Sequence, residues 1–189
     1  MEYAISMLNG AQNSLCLHTT PLTDFDGARY MGTWFEQQHV HNEGYQLDSD
    51  TCTQAIYHDL QADGTFVVDN TDQDKDFNDR SGVVFDGCCP DQTGRCYVGK
   101  TCDKVGKFSP PSYIVVDTDY DSYSVVYSCA VVKQYLYILT RDSVISDELY
   151  DEIMQKAEAG LPEYNFSTLA PREYQGDKCT YKTLNNFLQ

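Results

Sequence analysis

Eight short segments with the character of β-strands, followed by one amphipathic helix, set the strongest limit on how this chain can fold. In the first segment, which begins at Gly32, Trp34 and Glu36 alternate with Phe35 and Gln37, and this two-residue period is typical of a strand. The other predicted strands cover residues 51–57, 65–70, 81–85, 95–99, 113–117, 123–127 and 134–140. Many short strands separated by turn signals indicate an all-β barrel or sandwich.

One helix is predicted at residues 146–160. Ser146 is a good N-cap for it, and Gly160 suits the C′ position. One face of this helix carries an apolar stripe with a four-residue repeat, made of Leu149, Ile153 and Ala157. We therefore expect the helix to pack against the outside of the sheet.

The length and the pattern predict a single domain over residues 1–189. Residues 1–23 lack periodicity and are expected to form an irregular arm, and residues 170–189 form a tail. Residues 86–111 are rich in Gly, Cys and Pro, so we expect little regular structure there beyond the short strand at 95–99.

The charge excludes several classes of partner. The chain carries 29 acidic and 13 basic residues, a net charge of −16, which repels nucleic acid and anionic membrane surfaces. No segment approaches the roughly 18 apolar residues of a membrane-spanning helix, so no stable membrane insertion is expected. The 15 tyrosines indicate an apolar interior with discrete hydrogen-bonding points.

Eight cysteines are spread over the whole chain and predict a disulfide framework and therefore a secreted protein. The spacing of the central four does not form zinc hooks, and no metal site is predicted. Residues 1–10 do not have the pattern of a secretory signal, so the signal was removed or the chain is cytosolic, and the cysteines favour secretion. Asn165 begins an N-glycosylation sequon.

Three motifs follow one another in a fixed order along the chain. They are Gly32-Thr33-Trp34, then Thr118-Asp119-Tyr120, then Arg141. This order resembles the signature of the lipocalins, secreted barrels that carry small lipophilic molecules. The resemblance implies an eight-stranded up-and-down antiparallel barrel with one C-terminal helix packed outside. In such a barrel Trp34 lies across the closed end and Arg141 packs over its indole, which is a structural role.

Within that family the chain is similar to the crustacyanins, apolipoprotein D and the insect bilin carriers. The similarity is carried by residues 21–26, 44–47, 117–129 and 179–184. It implies two disulfides, Cys16–Cys129 and Cys52–Cys179. Four cysteines depart from the family pattern, Cys88, Cys89, Cys96 and Cys102. They are expected to form two further disulfides, in which the adjacent residues Cys88 and Cys89 have different partners.

Alternation along the strands predicts which side chains face the barrel interior. The predicted ligand-lining residues are Glu36, Gln38, Tyr57, Phe66, Val68, Asn70, Tyr135, Tyr137 and Leu139. The alternative is that these side chains only fill a tightly packed barrel. A buried Glu36 must be paired or protonated, so it either meets the polar end of a ligand or lies near water or an arginine.

The predicted function is non-covalent binding of a hydrophobic chromophore. The predicted chromophore is an astaxanthin-like carotenoid, and a bilin is the alternative. The predicted partner is a second chain in a homo- or heterodimer, in which stacking of the ligands would be one source of colour. His39, His41 and His58 are candidate haem ligands, but His39 and His58 fall on the outward parity, so these histidines are predicted to lie at the surface instead. No catalytic residue is predicted. A lipid-modifying enzyme with a free thiol or an activated acid, and a binder of small amines or a plain structural protein, remain as alternatives.

Overall fold

The computed structural model describes residues 16–40, 50–78, 80–99, 112–130 and 133–183. Within these residues eight antiparallel strands form a closed barrel, in which each strand pairs with the next and the last returns to the first. The strands are β1 (Gly32–Gln38), β2 (Thr51–His58), β3 (Thr65–Gln73), β4 (Ser81–Cys88), β5 (Arg95–Gly99), β6 (Tyr113–Thr118), β7 (Tyr123–Ala130) and β8 (Lys133–Thr140). The predicted fold class is confirmed.

Two α-helices accompany the barrel in the described part of the chain, α1 (Gly27–Tyr30) and α2 (Asp147–Gly160). The sequence does not predict α1, because a single helical turn is too short to show a period. Its N-cap is Asp26, whose side chain accepts a hydrogen bond from the Arg29 amide. None of the helices in the described residues is long and apolar enough to cross a membrane.

Helix α2 packs on the outer face of β6 and β7, as its apolar stripe predicts. Ile153 and Ala157 are fully buried there, and Ser146 caps the helix by accepting from the Leu149 amide. The prediction that Gly160 occupies C′ is wrong: Gly160 is the last helical residue and Leu161 is the C-cap. A Cβ on Gly160 would lie 2.6 Å from Val116 Cγ1, so this glycine lets the end of the helix approach the barrel closely.

Three disulfides join described residues. Cys16–Cys129 ties the segment before the barrel to β7, and Cys52–Cys179 ties the C-terminal segment to β2; these are the two pairs that the resemblance implies. Cys89–Cys96 closes the connection between β4 and β5. Cys88 is also disulfide-bonded, and Cys102 lies outside the described residues, as do His41 and residues 44–47. Bridges over 113 and 127 residues restrict the unfolded chain strongly, by about 4–5 kcal/mol each in the chain-entropy account.

Candidate ligand-binding site

Trp34 and Arg141 close one end of the barrel. Trp34 is fully buried, and its indole N–H donates to the Tyr30 carbonyl over 2.9 Å. The guanidinium carbon of Arg141 lies 3.6 Å from the centre of the indole ring. Arg141 also donates to the carbonyls of Tyr120 and Thr33 over 2.9 and 2.8 Å, so its planar cation is held on the indole by both stacking and hydrogen bonds.

The Thr118-Asp119-Tyr120 motif builds the turn that receives Arg141. One carboxylate oxygen of Asp119 accepts from the backbone amides of Asp121, Ser122 and Tyr123. Partial burial opposes ionisation of Asp119, but these amide hydrogen bonds outweigh it and lower the pKa of the carboxyl. Tyr120 adopts a positive φ of 71°, which turns its carbonyl toward Arg141. These hydrogen bonds connect the motif with Arg141 and hence with Trp34.

Three tyrosines form a hydroxyl chain next to Trp34. The Tyr113 hydroxyl lies 2.8 Å from the hydroxyls of both Tyr30 and Tyr57, and Tyr30 reaches Ser124 over 2.9 Å. Burial raises the pKa of Tyr30 to about 12 and raises the pKa values of Tyr57 and Tyr113 well above their usual range, so all three are neutral at physiological pH. We call Tyr30, Trp34, Tyr57, Tyr113 and Arg141 the floor.

A cavity of about 740 Å³ lies inside the barrel above the floor, within the size range of small-molecule sites. Seven of the nine predicted residues line it: Glu36, Tyr57, Val68, Asn70, Tyr135, Tyr137 and Leu139. Further residues that were not predicted also line the cavity, among them Asp72, Ser81, Val83, Phe85, Val98, Ser112, Tyr113 and Ser128. Val83 and Phe85 alternate along β4, and this two-residue period would have predicted that both line the cavity.

Phe66 and Gln38 do not line this cavity. Phe66 lines a second cavity of about 770 Å³, which lies between α1 and the β2–β3 and β4–β5 connections; Tyr57 and Tyr113 line both cavities and separate them. Gln38 contacts the outside of the barrel, where its amide donates to the Ala170 carbonyl and its carbonyl accepts from the Tyr150 hydroxyl.

A β-bulge explains the error at Gln38. Glu36 pairs with Leu139 and Gln38 with Ile138 on β8, so the two-residue alternation is interrupted between them. His39 follows this bulge and is 2 % exposed, so the prediction that it is a surface residue is wrong. His58 is partly exposed, with its ring nitrogens 3.0 Å from carboxylate oxygens of Asp59 and Asp69.

His39 belongs to a buried group that we call the Glu–His–Glu cluster, made of Glu36, His39 and Glu173. His39 Nδ1 lies 2.8 Å from Glu36 Oε1 and 3.9 Å from Glu173 Oε2. Burial and then the charge of Glu36 raise the pKa of Glu173 well above its usual range. Glu173 follows α2 in an irregular segment, and no sequence signal connects it with β1.

The charge of the cavity is one-sided. Glu36 and Asp72 line it, and burial raises the pKa of Asp72. Among the described lining residues none is Lys, Arg or His. The electrostatics therefore favour a neutral or cationic ligand over an anionic one.

A closed barrel with an internal cavity is the architecture of proteins that hold one small ligand. A family model described as a lipocalin-like domain matches residues 25–173, and the chain belongs to the lipocalin family, whose members bind small ligands. Among curated proteins, no sequence matches the chain significantly.

Several solved structures share the fold. Insecticyanin from the tobacco hornworm Manduca sexta is 19 % identical over 89 % of this chain and 90 % of its own, with a TM-score of 0.68. Lobster apocrustacyanin A1 is 19 % identical over 86 % and 94 %, with a TM-score of 0.60. The tryptamine complex of the amine binding protein of Rhodnius prolixus is 20 % identical over 92 % and 95 %, with a TM-score of 0.63. At these identities the similarity establishes the fold alone.

Proposed function

We propose that this lipocalin is an extracellular carrier of a neutral conjugated lipophile, with a carotenoid as the ligand class. The observation that carries the proposal is the lining of the 740 Å³ cavity, which is rich in aromatic side chains and contains no cation among the described residues. Tyr135 and Tyr137 project from β8 with their rings within 3° of parallel and 6.5 Å apart, and both line the cavity. Parallel rings along one wall suit a long planar polyene, while Asn70 and Ser128 offer hydrogen bonds to its polar groups.

The charge of the cavity separates a carotenoid from a bilin. A bilin brings propionate carboxylates, which Glu36 and Asp72 would repel and which no described cation in the lining would pair. A carotenoid with keto or hydroxyl ends has no such cost. The acidic lining therefore supports a carotenoid, which is neutral, over a bilin, which is anionic.

The depth of the barrel bears on the oligomeric state. An eight-residue strand such as β8 spans about 26 Å, and the tilt of strands in a barrel reduces the depth to about 20 Å. A fully extended carotenoid is longer than that, so one end projects from the barrel. A second chain that encloses this end would give the homo- or heterodimer expected from the sequence.

The disulfides support an extracellular location, and they do not support an enzyme that uses a free cysteine thiol. Disulfides such as Cys16–Cys129 and Cys52–Cys179 persist in oxidising compartments. No cysteine among the described residues is free. A lipid-modifying enzyme with a nucleophilic thiol therefore lacks support from this part of the chain.

Reconstitution tests the carotenoid proposal. The ligand-free protein is titrated with astaxanthin, and binding is followed by quenching of Trp34 fluorescence and by the visible spectrum. We expect saturable binding with a shifted absorption band, roughly 10-fold weaker in Tyr137→Ala because part of the apolar wall is lost. Biliverdin at the same concentrations serves as the anionic control. Tighter binding of biliverdin than of astaxanthin would contradict the proposal.

A small amine is the second candidate, because Glu36 places a carboxylate in the cavity wall. The fold is shared with an amine binding protein, although at 20 % identity. Calorimetry with tryptamine distinguishes the two candidates. If the ligand is an amine, Glu36→Gln abolishes tryptamine binding; if it is a carotenoid, the same variant keeps its astaxanthin affinity within about 3-fold.

A further inference from the structure

The Glu–His–Glu cluster brings together three buried side chains of types that commonly bind metal ions. Glu36 and His39 come from β1 and the residue after its end, and Glu173 comes from the segment after α2. The side chains of Glu36, His39 and Glu173 are 8 %, 3 % and 2 % exposed. One ligand atom from each lies within 4.8 Å of the others.

One oxygen of the cluster is buried without a hydrogen bond. Glu173 Oε1 accepts from the Thr53 amide and from the side-chain amide of Gln175. Glu173 Oε2, which points at His39, has no hydrogen-bond partner among the described residues. An unsatisfied carboxylate oxygen at this depth costs stability unless a proton or a cation meets it.

The distances between the ligand atoms suit a small tetrahedral ion. Two zinc–ligand bonds of about 2.0–2.1 Å at the tetrahedral angle place their ligand atoms about 3.3 Å apart. The 2.8 Å between His39 Nδ1 and Glu36 Oε1 and the 3.9 Å between His39 Nδ1 and Glu173 Oε2 lie on either side of that value. A change of about half an ångström in each of these two distances would match that value, and all three ligand atoms already lie within 4.8 Å of one another.

We propose that Glu36, His39 and Glu173 form a binding site for one divalent transition-metal ion, with zinc as the best match. Two carboxylates and a neutral imidazole balance the charge of a divalent ion, so the buried complex is neutral. Imidazole nitrogen and carboxylate oxygen are both zinc ligands, and three protein ligands leave a fourth position for water.

The surroundings hold the three ligands in place. The side chain of Gln175 donates to the backbone carbonyls of Glu36 and Thr53, each over 2.8 Å, and so connects β1, β2 and the C-terminal segment. The His39 carbonyl accepts from the Ala170 amide over 2.9 Å. Such outer contacts orient metal ligands, and their loss typically weakens metal binding by 10- to 100-fold.

An ion can reach the site from outside the barrel. A surface cleft of about 340 Å³ is lined by both His39 and Glu173. Two of the cations that also line this cleft are already paired, Lys75 with Asp76 over 3.6 Å and Arg172 with Asp147 over 2.7 Å. Glu36 also lines the ligand cavity, whereas His39 and Glu173 do not, so variants of His39 and Glu173 test the metal site without changing the cavity lining.

Competition between the intact oxidised protein and a chromogenic zinc chelator tests the site. We expect one zinc ion per chain with a dissociation constant in the micromolar range or tighter. His39→Gln and Glu173→Gln should each weaken binding by roughly 10- to 100-fold. The matched control is His58→Gln, since His58 also lies between two carboxylates but is partly exposed, and it should bind zinc as the wild type does.

Cobalt gives a second measurement that needs no variant. Cobalt(II) in the wild-type protein should show the visible absorption of a four-coordinate ion with nitrogen and oxygen ligands, and zinc should abolish it by displacement. Absence of zinc binding below about 1 mM, unchanged binding in both His39→Gln and Glu173→Gln, or an equal loss in His58→Gln would overturn the proposal. None of these outcomes depends on carotenoid or amine binding.

Discussion

The floor and the Glu–His–Glu cluster are both buried and polar, yet they differ in how their polar groups are paired. In the floor, the indole N–H of Trp34 donates to Tyr30, the Arg141 guanidinium donates to several carbonyls, and the tyrosine hydroxyls bond to one another. In the cluster, a carboxylate oxygen of Glu173 is buried without a hydrogen bond among the described residues.

This difference suits two different roles: the floor stabilises the barrel, and the Glu–His–Glu cluster is the proposed ion-binding site. A buried polar network in which every group has a hydrogen-bond partner makes a core rigid. A buried network with an unpaired group opposes folding, and such groups are often found at sites that bind a ligand. The floor should therefore lose stability when any member is changed. The cluster should tolerate, or gain from, loss of its charge when no ion is bound.

Trp34→Ala should have the largest effect. The indole is fully buried, so the variant loses its transfer free energy and leaves a cavity beneath Arg141, which together cost about 3–5 kcal/mol. Urea denaturation followed by far-UV circular dichroism measures the loss. Trp34→Phe retains most of the ring and should lose less, and a loss below about 1 kcal/mol in Trp34→Ala would contradict the account of the floor.

Arg141→Lys should cost about 2 kcal/mol in the same measurement. Lysine keeps the charge but loses the planar stacking on Trp34 and the forked donation to the carbonyls of Tyr120 and Thr33. The matched control is Arg172→Lys, because Arg172 also stacks on a ring, that of Tyr150, at 4.2 Å but at the surface. Equal losses in the two variants would show that stacking alone, rather than the buried network, stabilises the floor.

Tyr113→Phe should cost about 1–2 kcal/mol, since it removes the hydroxyl that joins Tyr30 to Tyr57 and leaves two buried hydroxyls with fewer partners. Tyr174→Phe removes an exposed hydrogen bond to Asp177 and should change the free energy of unfolding by less than about 0.5 kcal/mol. A double-mutant cycle with Tyr57→Phe should be non-additive. Strict additivity would mean that the hydroxyls do not act as a network.

The strands and the long helix were predictable from the sequence because their signals are local, whereas the closed eight-stranded barrel was implied by the resemblance to the lipocalins. The two-residue period identifies each strand, and the capped apolar stripe identifies α2. The alternation of Tyr135, Tyr137 and Leu139 on β8 also gives their inward orientation, and all three line the cavity. By contrast, α1 is too short to show a period.

The cluster could not be predicted, for two physical reasons. The bulge falls in the run from Glu36 to His39, where every residue is polar, so no contrast between apolar and polar faces marks the change of register. Glu173 lies in a segment without regular structure, and its position beside His39 depends on hydrogen bonds to β1 such as that from its own amide to the Gln37 carbonyl. Neither feature leaves a periodic trace in the sequence.

At a pH of about 4.3, Glu173→Gln should have the smallest effect of the four, and above this pH its effect should have the opposite sign. The raised pKa means that folded Glu173 keeps its proton at pH values where the unfolded chain, with a Glu pKa of about 4.3, has lost it. Unfolding of the wild type then releases a proton, so its stability falls as pH rises from about 4.3 through the folded pKa. Glutamine has no proton to lose, and the difference in unfolding free energy, variant minus wild type, should therefore rise over this window by at most about 1.4 kcal/mol per pH unit.

Urea denaturation at a series of pH values, with a chelator present to remove metal, measures this difference. Glu163→Gln, which changes an exposed glutamate, is the control and should follow the wild type across the window. If the difference instead falls as pH rises, the Glu173 carboxylate is ionised and stabilised by His39 without any ion. The cluster would then be paired as completely as the floor, and the contrast between the two regions would be lost.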